Sequence, residues 1–125
     1  MTEQPDTDPH SRLAITRRTV RRTVLVEVTG EVDLDTAPDL QTALVIALRE
    51  AGDGGCVADL TGVSFLGSAG LTALLNATQE AEQRREPLRI VVDSNRPVVR
   101  PIEITGLDQI LRLYDSVEQA LRPSR

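Results

Sequence analysis

Lysine and tryptophan are absent from this chain, and cysteine, histidine, methionine, phenylalanine and tyrosine each occur once. Each scarcity excludes something. A lone cysteine, Cys56, rules out an internal disulfide and any multi-cysteine metal site. The lone histidine, His10, lies in a polar leader, so one chain cannot build a Ser-His-Asp triad or a two-histidine zinc centre. Phe65 and Tyr114 are too few to form a stacking platform for single-stranded nucleic acid. The net charge of −5 argues against a surface built mainly to bind phosphate backbones. No apolar run approaches the roughly 18 residues of a membrane span, and MTEQPDTDPH lacks the features of a secretory signal. The expected setting is the cytoplasm, with no membrane, direct nucleic acid, metal or cofactor.

The chain is 125 residues long, with 40% apolar and 26% charged residues, which predicts one ordinary globular domain. Met1 to about Ser11 is polar and contains proline, and is expected to be a disordered tail; 12–122 form the domain and 123–125 a short C-terminal tail. Leu13 to Arg17 and Thr23 to Thr29 read as strands joined by a link too short for a crossover, hence an antiparallel hairpin. Arg17-Arg18 and Arg21-Arg22 make that hairpin locally basic, either as an anion-binding patch or as a solvated end that guards an edge strand.

Gly30 is expected to end the second strand, with EVDLD as a loop. Thr36 reads as the cap of a helix, with Pro38 in its first turn and Asp39 completing a T-x-x-D pattern. Ala37, Leu40, Leu44, Ala47, Leu48 and Ala51 fall on one face of it. Val45 and Ile46 fall outside this stripe, as a small patch or as isolated exposed apolar residues. Cys56 to Leu60 reads as a central strand, with Cys56 either a small buried hydrophobe or a reactive thiol. TGVSFLG is expected as a loop, with Ser68 as the cap of a second helix whose inner stripe is Leu71, Leu74, Leu75, Thr78 and Ala81.

Leu88 to Val92 reads as a strand. A short helix disturbed by Pro97 and Pro101 follows between Asn95 and Thr105. Leu111 to Tyr114 is a last strand, and Ser116 opens a C-terminal helix with an S-x-x-Q capping box. The order β-β-α-β-α-β-α-β-α describes an α/β domain with a mixed sheet.

Ligands of open α/β sheets gather beyond the carboxyl ends of parallel strands. If the second and third strands are neighbours, Asp33 and Asp35 lie beside Ser68. Gly70 is anomalous there, because glycine costs about 1 kcal/mol inside a helix. Either it packs tightly against the sheet, or a partner's backbone comes close to it.

FLGSAGLTALL, preceded by DLTGV and GEVDLDTAPDL, resembles the STAS domain of bacterial anti-sigma-factor antagonists, and ITGLDQILRLYDSVEQAL is similar to the family's C-terminal part. The resemblance implies a protein-binding switch rather than an enzyme. The unphosphorylated antagonist binds an anti-sigma factor, a serine kinase of the histidine-kinase-like ATPase fold, and a sigma factor is released. Phosphorylation then dissolves the complex. By position, the resemblance makes Ser68 the phosphoacceptor and Asp33, Asp35, Gly67, Ser68, Ala69, Gly70 and Leu71 the partner-binding residues, in a monomer or weak dimer. Gly67 stands where the family commonly has aspartate, Ala69 where it often has serine or threonine, and Pro101 where its helix is usually regular. The alternatives are a STAS-type sensor of a nucleotide or anion, and a subunit that assembles with other STAS domains, both without phosphorylation control.

Overall fold

A computed structural model describes residues 12–122; both expected tails, 1–11 and 123–125, lie outside the described residues. The elements are β1 (Leu13–Val20), β2 (Thr23–Val32), α1 (Ala37–Glu50), β3 (Cys56–Leu66), α2 (Ser68–Arg84), β4 (Leu88–Val91), α3 (Arg96–Ile104), β5 (Arg112–Tyr114) and α4 (Val117–Leu121), with a 3-10 turn at Leu107–Gln109. The five strands lie in the order β1-β2-β3-β4-β5. β1 is antiparallel to β2, and the other three pairings are parallel. The expected α/β architecture with an N-terminal hairpin is therefore the observed one.

Alternation along the strands divides the sheet into two faces. Val24 and Val26 pair in register with Cys56 and Ala58, which pair with Leu88 and Ile90, and all six belong to the larger core. Leu40, Leu44 and Leu48 of α1 and Leu71 and Leu74 of α2 pack into the same core, as do Val98 and Ile102 of α3. Each fully buried leucine contributes about 2 kcal/mol by leaving water. On the opposite face Leu25, Val57 and Val91 form a smaller core capped by Ala120 of α4. Cys56 is fully buried, and burial pushes its thiol up to about 12, so at neutral pH it is a protonated hydrophobe. The expected α1 stripe is buried from Ala37 to Leu48, whereas Val45 and Ile46 are half-buried.

TGVSFL is strand, not loop. Between Glu27↔Asp59 and Thr29↔Gly62 the register gains one residue on β3, and between Gly30↔Val63 and Glu31↔Phe65 it gains another. These two bulges break the alternation that marks a strand in sequence. β4 pairs only with Cys56 to Asp59, so the rest of β3 runs past it. Asn95 closes that edge: its Nδ2 donates to the carbonyls of Leu60 (2.9 Å) and Val63 (2.7 Å). α3 continues through Pro101 despite the missing donor. Val98 and Ile102 are fully buried in the core, and that anchoring offsets the lost hydrogen bond.

Candidate functional site

β2 and β3 run in parallel to a common end, with Val32 opposite Leu66. Chain continuity then sets Asp33 next to Gly67, and the Gly67 N–H donates to the Val32 carbonyl at 3.0 Å. The two loops named from the sequence therefore meet at the carboxyl edge of the sheet.

The first loop is held by a polar network. The Oδ1 of Asp33 accepts from the backbone N–H groups of Thr36 and Asp35, both at 3.0 Å. The Thr36 hydroxyl donates to the Glu31 carbonyl at 2.8 Å and accepts from the Asp33 N–H at 2.9 Å. Arg12 adds ion pairs to Asp33 and Glu31. The Thr36 backbone N–H is the foremost influence holding the Asp33 carboxyl below its usual value, helped by the Thr36 hydroxyl, Arg12 and the Asp35 N–H against some desolvation. This corrects the capping expectation. Thr36 is the N-cap residue of α1, but its side chain makes no cap hydrogen bond, because its hydroxyl is committed to the loop. Asp33 organises the loop from inside, whereas Asp35 has an exposed carboxylate.

The second loop corrects another expectation. Gly67, with extended backbone (φ −88°, ψ −178°), is the N-cap of α2, and Ser68 is its first helical residue. The first intrahelical bond joins the Leu71 N–H to the Gly67 carbonyl at 3.1 Å, so the N–H groups of Ser68, Ala69 and Gly70 precede it. Ser68 is exposed, and among the described residues its hydroxyl has no hydrogen-bond partner. A cap serine would have used that oxygen on its own helix.

Gly70 and Leu71 face inward. A Cβ on Gly70 would lie 2.5 Å from Leu66 Cδ1 and 2.7 Å from Val32 Cγ1, so glycine lets α2 seat on the ends of β2 and β3. Of the two readings of Gly70, tight packing against the sheet is the one this geometry accounts for. Leu71 is buried in the core and Ala69 is half-buried at its margin.

Two residues of this end were missed in the sequence. Leu34 is 79% exposed and Phe65 50% exposed, although both are large and apolar. Phe65 lies over Gly67, whose Cβ position is 3.1 Å from Phe65 Cε2. Leu34 borders a shallow groove of about 460 Å³ between α1 and α2, floored by Ala37, Ala69 and Ala73. Leu34 sits among charges in EVDLD with no periodic partner, and that was the only sequence signal available. The described residues contain no cluster of metal-ligating side chains and no helix long and apolar enough to cross a membrane.

The STAS domain family model matches residues 14–120. The chain belongs to the STAS domain family. It is 35% identical to the anti-sigma-F factor antagonist RsfB of Mycobacterium tuberculosis over 99 residues, covering 78% of this chain and 77% of that one. A crystal structure of an anti-sigma factor antagonist from Mycobacterium paratuberculosis superposes with a TM-score of 0.76 at 31% identity, covering 92% of this chain and 95% of that chain. The anti-sigma factor antagonist SpoIIAA in its unphosphorylated form shares the fold at 20% identity, with a TM-score of 0.69, over 86% of this STAS chain and 92% of its own.

Proposed function

We propose that this STAS domain is an anti-sigma factor antagonist that works by binding, not by catalysis. Unphosphorylated, it captures an anti-sigma factor that is a serine kinase of the histidine-kinase-like ATPase fold, and a sigma factor is set free. Phosphorylation of Ser68 ends the capture. The exposed Ser68 hydroxyl, with no hydrogen-bond partner among the described residues, carries the reading. The names of the 31–35% identical relatives supply the class of partner. Asp33, Asp35, Gly67, Ser68 and Ala69 belong to the binding end, joined by exposed Leu34 and Phe65. Gly70 and Leu71 support it from within.

In the phosphorylation step the Ser68 oxygen attacks the γ-phosphorus of ATP. The bond to the β-phosphate oxygen breaks, ADP leaves, and the hydroxyl proton passes to a base on the kinase. The product adds about −1.5 to −2 charges at pH 7. At the start of α2 that charge meets the free N–H groups, a contact favourable by roughly 0.3–1 kcal/mol, so the fold survives. Against a carboxylate of the partner about 4 Å away, each charge pair costs about 4 kcal/mol at an effective dielectric of 20. The switch therefore acts at the interface. Incubation with the anti-sigma kinase and ATP adds one phosphate, found at Ser68 by mass spectrometry. Ser68→Ala keeps its affinity, and Ser68→Glu binds at least about tenfold more weakly, a loss of about 1.4 kcal/mol. Equal affinity of the two variants refutes the reading.

A further inference from the structure

The amino-terminal edge of the parallel strands is the end of the sheet away from Ser68. A groove of about 680 Å³ opens there, lined by six arginines: Arg21, Arg22, Arg85, Arg89, Arg112 and Arg122. They come from the β1–β2 turn, the end of α2, β4, β5 and the residue after α4, so only the tertiary fold gathers them. In a chain of net charge −5 this is a local reversal of sign.

Five of the six are exposed to solvent, and Arg89 is the buried one. Arg22 pairs with Asp53 at 2.8 Å. Arg89 is a charged side chain only 8% exposed, and its Nη1 donates one long bond, 3.4 Å, to the Gly54 carbonyl. Among the described residues neither Arg89 nor Arg112 has an ion-pair partner. The two are register partners on adjacent strands. Like charges placed opposite each other destabilise a sheet, and a buried guanidinium without an anion is costly. An anion between them would offset both effects, and arginine's fork matches the oxygens of a phosphoryl group.

Arg21 (φ 57°) and Arg22 (φ 92°) are the two central residues of the β1–β2 hairpin turn, and Arg85 (φ 58°) ends α2, so local turn geometry carries three of the guanidinium groups to this edge. The groove's volume lies in the range of small-molecule sites.

We propose that this groove binds a phosphate group, free or as the monoester of a small molecule, and that Arg89 and Arg112 hold its oxygens. The site is independent of the switch at Ser68.

Titrations of the full chain with inorganic phosphate, glycerol 3-phosphate and ribose 5-phosphate, followed by backbone NMR, test it, with ribose as the control. The phosphate-bearing ligands shift the amides of Gly54, Arg89 and Arg112 saturably and leave Ser68 to Leu71 unmoved, and ribose does not bind. Tighter binding of the esters than of inorganic phosphate identifies an ester as the source, and equal affinity identifies the free ion. Arg112→Gln, at an exposed position, and Arg89→Gln each weaken binding about tenfold or more. Shifts at Ser68 to Leu71 instead, unchanged affinity in both arginine variants, or no saturable response to any phosphate-bearing ligand overturns the site.

Discussion

Asp33 shows how a residue can belong to a binding end and still serve the fold. Its carboxylate accepts two backbone N–H bonds and one ion pair, so the folded state holds the charged form more firmly than the unfolded chain does. Its folded pKa lies below the ordinary 3.8. The sign follows from linkage. The stabilisation is fully present above the unfolded pKa and is lost as pH falls through the lower folded value. Asp33→Asn is therefore less stable than wild type at neutral pH, and the difference shrinks as pH drops below about 3.8; denaturant titrations across the acid range read it. A constant difference down to pH about 2 would show that the aspartate charge contributes nothing.

Gly70 shows how an anomalous residue can serve packing. Gly70→Leu forces a side chain into Val32 and Leu66 and destabilises the fold by about 3 kcal/mol, as overpacking does. Chemical denaturation measures the loss. A variant as stable as wild type with impaired partner binding would return Gly70 to the interface.

Among the elements, β3 and the start of α2 act as a unit. β3 carries the chain past β4, and its bulges turn Phe65 outward while Leu66 stays in the core. Phe65 then occupies the space that a side chain at position 67 would enter. Gly67 is not required by its backbone, which any residue adopts. Its lack of a side chain lets the ring lie against it. Gly67→Asp displaces the exposed ring, which has room to swing away, and places a carboxylate beside the Ser68 hydroxyl. The expected outcome is faster phosphorylation by the anti-sigma kinase, by about tenfold for an orienting effect of about 1.4 kcal/mol. Single-turnover phosphorylation of wild type, Gly67→Asp and Phe65→Ala measures it. A rise in Phe65→Ala equal to that in Gly67→Asp would mean that the ring shields the hydroxyl and the carboxylate adds nothing.

Taken whole, the molecule has two chemically different ends. The carboxyl edge of the sheet carries Ser68 with exposed Leu34 and Phe65, and the amino edge carries the arginine groove. α2 runs between them, from Ser68 to Arg84. Both cores lie between the two ends, so a charge added at Ser68 touches neither. Ser68→Glu is accordingly expected to melt within about 4 °C of wild type, the shift that about 1 kcal/mol produces in a domain of this size. Calorimetry checks this. A much lower melting temperature would place the effect of that charge in the fold.

Alternation and helical spacing are local properties of the chain, and they were enough for the element order, the hairpin, the α1 stripe and the burial of Cys56. The fused motifs around Ser68 were likewise enough to point to the family. The bulged half of β3 was illegible, because its strand character rests on pairing with β2 and on Asn95, thirty-odd residues away in sequence. The N-cap residues of α1 and α4, Thr36 and Ser116, were legible, but the cap of α2 was not. Ser68 and Thr36 both have cap chemistry, yet Gly67, tied to Val32, takes the cap position of α2 and leaves the Ser68 hydroxyl without a partner among the described residues, and the network around Asp33 takes the Thr36 hydroxyl. The same holds for the six arginines. Along the chain they are scattered surface charges; folding brings them to one groove because the turn of a hairpin, the end of a helix and the starts of two parallel strands share one edge of the sheet.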